Sequence, residues 1–213
     1  MARSWIECSG QVSNMAGIKE TPHWNYIPPE AQTVTDWSGG QTRELYLAPA
    51  GTSYAGRDFT LRLSSATVEV AESTFTHLPD YERILMPLTG TIRLQHDGGR
   101  VRTLPPYTTD SFAGGAATTS WGECRDFNVM LRRGSGYTAH VEAVETHGQT
   151  VALPIGGLDY IYAAQGGCHW QGVTKTHEMA EGGLLVMRRQ GELHLQPQGR
   201  AGLLVHVSLR PAD

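Results

Sequence analysis

The chemistry of this sequence centres on two arginines that stand within apolar stretches. Arg62 lies in LRLSSATV, and Arg83 lies in YERILMPL. A guanidinium matches a carboxylate through two parallel hydrogen bonds, and burying one without a partner is costly. Two interpretations stay open. Glu44 or Asp126 neutralises the arginines in internal salt bridges, or one arginine is left partly free to bind an anionic ligand.

A second polar set lies on one face of a strand predicted at 124–132. Phe127 and Val129 alternate there with Asp126, Asn128 and Met130, and alternate side chains of a strand point to opposite faces. A face that offers a carboxylate, an amide and a thioether suits a half-polar pocket. The alternative is an outward polar face that carries one methionine.

The segment 57–70 contains no Gly or Pro and predicts a further strand. Its apolar residues occupy odd positions up to Leu63 and even positions from Ala66 onward. A strand of period two changes parity in this way at a bulge or a sharp bend, which we predict at Ser64-Ser65. Arg62 and Ser64 then lie on the face opposite Leu63, next to this irregularity.

The stretch DWSGGQTRELYL at 36–47 supplies the remaining candidates. Trp37 offers a rigid wall with one hydrogen-bond donor, and Gly39-Gly40 lets the backbone approach a ligand closely. A tight turn that opens a strand is the alternative interpretation. The predicted ligand-binding residues are those whose types suit a polar ligand: Trp37, Thr42, Glu44, Arg62, Ser64, His77, Arg83, Asp126 and Asn128.

The nine histidines give little indication of a metal site. No two of them stand at i and i+2, as they often do in cupin-like metal sites, and the best grouping is His140, Glu142 and His147. No nucleophile elbow, P-loop or dinucleotide fingerprint occurs. We therefore expect no catalytic residue, no metal and no cofactor. A metal-dependent enzyme that uses His77, His140 or Glu142 is the alternative.

Composition and charge exclude several classes of partner. The chain of 213 residues carries a formal net charge of -4, so no attraction to nucleic acid or to a membrane surface is expected. No apolar run is long enough to span a membrane or to form a signal peptide. The sparse set of Cys8, Cys124 and Cys168 suits a reducing compartment. These features predict a cytoplasmic protein.

Short strand-like segments separated by glycine turns recur along the chain, and no long amphipathic helix is visible. The order of strands and glycines at 84–112 recurs loosely at 158–187, which predicts an all-β protein of two related, fused barrel lobes. We expect one unit with an irregular arm at 1–35, an N-terminal lobe at about 36–140 and a C-terminal lobe at about 141–213. The aromatic arm could pack on its own barrel or on a neighbouring chain, which would make a homodimer.

Five ordered signatures resemble the HutD/Ves family: WSGGQTREL at 37–45, LRLSSATV at 61–68, STFTHLPDYERILMPLTG at 73–90, DSFAGG at 110–115 and DFNVMLRRG at 126–134. The resemblance implies a bicupin with two antiparallel barrels in one chain, from a family of bacterial, cytoplasmic proteins. It also implies binding of a small metabolite, such as a histidine-breakdown intermediate, in a regulatory role. The sequence departs from the family at Ser38, where Asn is usual, and at Asp80, where Gly is usual.

Three functions are consistent with these patterns. The first is a non-enzymatic protein whose N-terminal lobe binds a small carboxylate, such as formiminoglutamate or urocanate, and regulates histidine utilisation. The second is a metal-dependent cupin enzyme, either an oxygenase or an isomerase. The third is a protein-interaction scaffold whose pocket is filled by its own side chains.

Overall fold

A computed structural model describes residues 24–172 and 175–212. The predicted arm residues 1–23, including Cys8, lie outside this range. The described residues form nineteen β-strands and one 3-10 turn, Pro29–Ala31. The strands are β1 Trp24–Ile27, β2 Thr33–Trp37, β3 Gly40–Ala48, β4 Leu61–Val68, β5 Glu72–Thr74, β6 Tyr81–Thr89, β7 Ile92–His96, β8 Arg102–Leu104, β9 Asp110–Ala113, β10 Thr118–Trp121, β11 Cys124–Arg132, β12 Tyr137–Glu145, β13 Val151–Gly156, β14 Leu158–Gln165, β15 Cys168–Gln171, β16 Thr176–Met179, β17 Leu184–Met187, β18 Gln190–Pro197 and β19 Leu203–Pro211.

These strands build two lobes, each from one larger and one smaller antiparallel sheet. The first lobe joins a six-stranded sheet, ordered β2-β3-β4-β11-β6-β9, to a four-stranded sheet, ordered β5-β10-β7-β8. The second joins a five-stranded sheet, ordered β1-β17-β14-β19-β12, to a four-stranded sheet, ordered β13-β18-β15-β16. The predicted all-β bicupin of two fused antiparallel lobes is confirmed. No helix among the described residues is long and apolar enough to cross a membrane.

Part of the predicted arm is regular structure. Residues 24–27 pair with 184–187 at the edge of the second lobe, and 33–37 pair with β3 in the first. Strand β1 ends just before Pro28, and Pro29 begins the 3-10 turn, because proline is accepted at the start of a helical turn. Strand β12 spans the expected lobe boundary at 140 and pairs along its length with β19.

A shared apolar core joins the two larger sheets. Leu63, Phe127 and Val129 of the first lobe are buried in one cluster with Val205 and Val207 of the second. Burial of each such side chain contributes about 1.5–3 kcal/mol relative to exposure. The larger sheet of the first lobe therefore has one face fixed by the second lobe and its other face turned into its own barrel.

That arrangement explains the change of parity in β4. The strand pairs with β11 without interruption from Leu61 to Val68, so the predicted bulge at Ser64-Ser65 is wrong. The irregularity lies on the neighbouring strand β3, between Glu44 and Tyr46. Both faces of β4 are buried, one against the second lobe and one inside the barrel, which lets apolar residues occupy either parity.

The interiors of the two lobes differ. The second lobe is filled by an apolar cluster that includes Trp170, Leu193 and Leu195. The first lobe has one apolar cluster around Ile92 and Leu94 and another around Phe59 and Tyr81. The inward-facing polar residues of the larger sheet line a cavity in this lobe.

Candidate functional site

The cavity of the first lobe has a volume of about 330 Å³. Its wall is the inner face of β3, β4, β6 and β11, completed by β2, by Tyr54 from a loop and by the segment 73–76. Its lining is formed by Thr33, Thr35, Trp37, Thr42, Glu44, Tyr54, Arg62, Ser64, Ala66, Val68, Ser73, Thr74, Phe75, Thr76, Arg83, Asp126, Asn128 and Met130.

Strand register arranges the polar lining residues in levels along β11. Met130 lies opposite both Arg62 on β4 and Arg83 on β6, which sets the two arginines at one level. Asn128 lies opposite Ser64, and Glu44 of β3 flanks Ser64 on the other side. Asp126 comes next, opposite Ala66. Along the direction of β11, the lining therefore begins with two arginines, continues with amide and hydroxyl groups and ends with the carboxylate of Asp126.

Arg62 is held in place by other side chains. Its Nε donates to Glu44 Oε2 at 2.8 Å, and its Nη1 donates to Ser64 Oγ at 3.0 Å. The guanidinium carbon lies 4.3 Å from the ring centre of Tyr54. The internal salt bridge that the sequence left open is therefore realised for Arg62 with Glu44.

Arg83 has no such partner among the described residues. It is only 5% exposed, its Nε has no hydrogen bond, and its Nη1 makes one long contact of 3.5 Å to the carbonyl oxygen of Thr76. The Phe75 ring centre lies 4.6 Å from the guanidinium carbon. Burial lowers the pKa of Arg83 to about 10, so it is still protonated near neutrality.

Two acceptors face the same cavity from β11. Asp126 is 6% exposed, and burial raises the pKa of its carboxyl group to about 7, although Ala66, Arg83 and Arg62 oppose this change. Asn128 is 8% exposed, and its Oδ1 has no hydrogen-bond partner. Polar groups buried without a partner are uncommon in native proteins, so Arg83 Nε and Asn128 Oδ1 mark this cavity as a candidate site for a polar ligand.

The structure brings eight of the nine predicted residues together around this cavity; the exception is His77. His77 is exposed and its ring lies close to Gly115. It follows Thr76 in a segment with no regular strand, so alternation could not tell which side chain turns inward. Tyr54 and Phe75, which stack on the two arginines, were not indicated, because ring stacking across a loop leaves no periodic signal.

The residues proposed for the metal enzyme are not brought together. His77 belongs to the first lobe, whereas His140 and Glu142 share one face of β12 in the second, where Glu142 Oε1 lies 2.9 Å from His206 Nδ1. No cluster of three His, Cys, Asp or Glu suited to a metal occurs in the described ranges 24–172 and 175–212. The cavity lining offers only Glu44, tied to Arg62, and Asp126 as carboxylates, so it does not fit the His-rich cupin metal site.

Comparison with known proteins places this fold in a family. Residues 30–205 match the family model described as HutD. The search of curated proteins gave no match.

Among solved structures, a conserved protein of unknown function from Pseudomonas aeruginosa PAO1 is 22% identical with a TM-score of 0.74, over 87% of this chain and 98% of that one. HutD from Pseudomonas fluorescens SBW25 is 20% identical with a TM-score of 0.65, over 88% and 99%. The bacterial pirin YhhW of Escherichia coli, in complex with nickel(II), is 10% identical with a TM-score of 0.64, over 89% and 100%. These likenesses describe the fold, and the match over residues 30–205 shows that the chain belongs to the HutD family.

Proposed function

We propose that this protein binds a small carboxylate-bearing metabolite in the cavity of its first lobe and acts by binding it, without catalysing a reaction. The observation that carries the proposal is Arg83, a buried guanidinium with an unpartnered Nε and no ion pair among the described residues. A carboxylate is the ligand that its planar fork matches best.

The contrast between the two arginines supports this choice. Arg62 already donates its Nε to Glu44 and its Nη1 to Ser64, and Glu44 neutralises its charge. Arg83 keeps its Nε free, and each hydrogen bond to a charged group is worth about 1.5–3 kcal/mol. We therefore propose that Arg83 contacts the ligand while Arg62 and Tyr54 shape the wall beside it.

A role in binding is also supported by what lines the cavity. Its lining includes no His or Cys, and of its two carboxylates Glu44 is bonded to Arg62, so Asp126 is the one carboxylate of the lining that could act as a general base. Regulation of histidine utilisation is proposed from membership of the HutD family. A location in the cytoplasm is proposed from the composition and the sparse cysteines.

The proposal is tested by a thermal-shift screen of small acids at millimolar concentration, with formiminoglutamate and urocanate among them. A ligand that binds only the folded protein raises the melting temperature, and we expect at least one acid to do so. In calorimetry, Arg83→Gln should weaken that acid by about 10- to 150-fold, because charged hydrogen bonds are lost.

The matched control is Arg133→Gln, which removes an exposed guanidinium that pairs with Glu82 on the surface. It should leave the affinity unchanged. No shift with any acid, or equal affinity in Arg83→Gln and wild type, would overturn the proposal. Bound iron, zinc or manganese near one ion per chain in protein purified without chelator would favour the metal-dependent enzyme instead.

A further inference from the structure

A separate groove of about 270 Å³ lies where the two lobes meet, on the reverse face of the sheet that lines the cavity. Alternate side chains of a strand point to opposite faces. Glu44 of β3 and Asp126 of β11 therefore line the cavity, whereas the residues that precede them, Arg43 and Arg125, line the groove. Tyr162 of β14 contributes to the groove from the second lobe. Two arginines of the first lobe thus face the second lobe across open space.

Both of these arginines are held in place by neutral oxygen atoms. Arg43 Nη1 donates to the carbonyl oxygen of Pro29 at 2.9 Å, and Arg125 Nη2 donates to Tyr162 Oη at 2.7 Å. Pro29 and Tyr162 line the same groove, so both guanidinium groups lie at it. Neither arginine forms an ion pair within residues 24–172 and 175–212. A guanidinium carries five N–H groups, so one neutral acceptor leaves most of them available to a ligand.

The charge of the groove is opposite in sign to that of the whole chain. Within the part of the chain that the structure describes, the lining holds one carboxylate, Glu181, whose Oε2 accepts a hydrogen bond from the backbone of Gly166. Two arginines and this carboxylate give the lining a formal charge of +1, whereas the chain carries -4. A cleft lined by one sign of charge concentrates ions of the opposite sign. The groove is therefore suited to an anion.

Strand register places the two arginines on either side of β4. Arg43 lies opposite Ser65, and Arg125 lies opposite Thr67, two residues further along. Strand spacing sets the Cα atoms of the two arginines about 12 Å apart, so two side chains of this length can meet one small group bound between them. Tyr162 Oη accepts its hydrogen bond from Arg125, which leaves its own proton to be donated to such a group.

We propose that this groove is a second binding site, which takes a phosphate group, either free or as a small phosphate monoester. Arg43 and Arg125 bind it from opposite sides, and the hydroxyl of Tyr162 donates a further hydrogen bond. A phosphate group carries close to two negative charges and three strong acceptor oxygens, and it matches the planar fork of arginine. A single carboxylate has one charge and would occupy one fork only. The site does not depend on Arg83 or on the ligand of the cavity.

The first test is calorimetry at about pH 8, where a phosphate group is doubly charged. The probes are inorganic phosphate and methyl phosphate, and we expect at least one of them to bind at one site per chain. Tighter binding of one probe identifies whether the site takes the free ion or a monoester. Acetate at the same concentration should not displace the bound phosphate.

Two substitutions at one exposed position give the sharpest comparison. Thr67→Asp places a carboxylate between the two arginines, and Thr67→Asn has nearly the same shape without the charge. Phosphate should bind Thr67→Asp at least about tenfold more weakly than Thr67→Asn, because like charges in contact repel. Arg43→Gln and Arg125→Gln should each weaken phosphate by about 10- to 150-fold. Arg93→Gln, at an exposed arginine that lies over Trp121 outside the groove, is the matched control and should change nothing.

The inference is overturned if neither phosphate probe binds, if Thr67→Asp and Thr67→Asn bind phosphate equally, or if acetate displaces it. Arg83→Gln should bind phosphate as the wild type does, and a loss of phosphate affinity in that variant would place the ion in the cavity and remove the second site. The proposed function is judged separately, by the panel of small acids.

Discussion

Because Arg83 is buried without an ion pair, we expect its charge to destabilise the folded protein when no ligand is bound. Burial lowers the pKa of this guanidinium from 12.5 to about 10, which corresponds to a cost of about 3 kcal/mol for keeping the charged form in the folded state. Replacing even a buried ion pair by apolar side chains of similar volume is often neutral or stabilising by about 1–4 kcal/mol, and a charge without a partner has less attraction to lose. We therefore expect Arg83→Met to raise the free energy of unfolding by about 1–3 kcal/mol while it abolishes carboxylate binding.

Arg62→Met makes the matched comparison, because both arginines are buried at the same level of the cavity. Arg62 has partners, and its loss leaves Glu44 Oε2 and Ser64 Oγ without their donor. Glu44 is partly exposed, so we expect a loss of about 1–3 kcal/mol, below the usual cost of breaking a fully buried pair. The same substitution, Arg to Met, should therefore raise the free energy of unfolding at one position and lower it at the other.

Urea unfolding without ligand measures both effects. A change of 1 kcal/mol corresponds to about 2–4 °C in melting temperature for a chain of this length, so the two variants should also separate clearly in a thermal scan. Arg83→Met less stable than wild type, or both variants shifted in the same direction, would refute the claim that Arg83 is uncompensated. Stability gained at the expense of binding is the trade-off expected at a functional site.

Two further predictions concern the framework around the site. His206→Gln should cost about 3 kcal/mol in urea unfolding, because the buried ring bridges Glu142 and the fully buried Asp159, whereas His194→Gln, at an exposed pair with Glu192, should cost under about 0.5 kcal/mol. Burial alone would lower the pKa of His206, but hydrogen bonds to Asp159 and Glu142 raise it above 6.5. The stability that this shift contributes is fully present below pH 6.5 and should be lost as the pH rises through the folded-state pKa. The free energy of unfolding of His206→Gln should not show this dependence on pH. A flat pH profile for wild type, or equal costs for the two histidine variants, would contradict this account. Gly40→Ala should destabilise the protein by about 1–3 kcal/mol, because Gly40 has a φ of +145° and a Cβ there would meet the carbonyl oxygen of Thr67. The control is Gly51→Ala, where φ is +88° and the space around the residue is open, and it should cost less in the same assay.

The sequence predicted those features of the site that depend on alternation. The period-two pattern in 124–132 was enough to assign Asp126, Asn128 and Met130 to one face, and the structure turns that face into the cavity. It could not predict which arginine pairs with Glu44. That choice depends on the register of β3 against β4, which an irregularity between Glu44 and Tyr46 shifts. Such a shift is a tertiary feature with no local signal.

The two-lobe fold was also predictable from local patterns, and the wrong part of that prediction, the irregular arm, arose where strand pairing is not local. Short strands and glycine turns predicted two all-β lobes, which the sheets confirm. Residues 24–27 looked irregular because Pro28 and Pro29 follow them. A four-residue edge strand needs only one partner, however, and β17 supplies it from more than 150 positions away in sequence. Local patterns cannot report pairing over that distance.

Comparison of the two lobes shows why polarity alone does not locate the site. The second lobe also holds charged groups: the buried Asp159 accepts hydrogen bonds from His206, from Arg210 and from the backbone of Gly156. Each of these three side chains therefore has a partner of opposite charge. Three other groups of that lobe, Tyr160 Oη, Trp170 Nε1 and Arg188 Nε, have no hydrogen bond. The first two are neutral and cost less to bury than a guanidinium, and Arg188 donates through Nη2 to Tyr46 Oη at 3.3 Å and does not line the cavity of the first lobe. In the first lobe the unpaired group is the charged Arg83, which lies on the wall of a cavity, where a ligand could supply the anion that pairs with it. A charge without a partner on the wall of a cavity, more than the number of polar residues, is therefore the reason to propose binding in the first lobe.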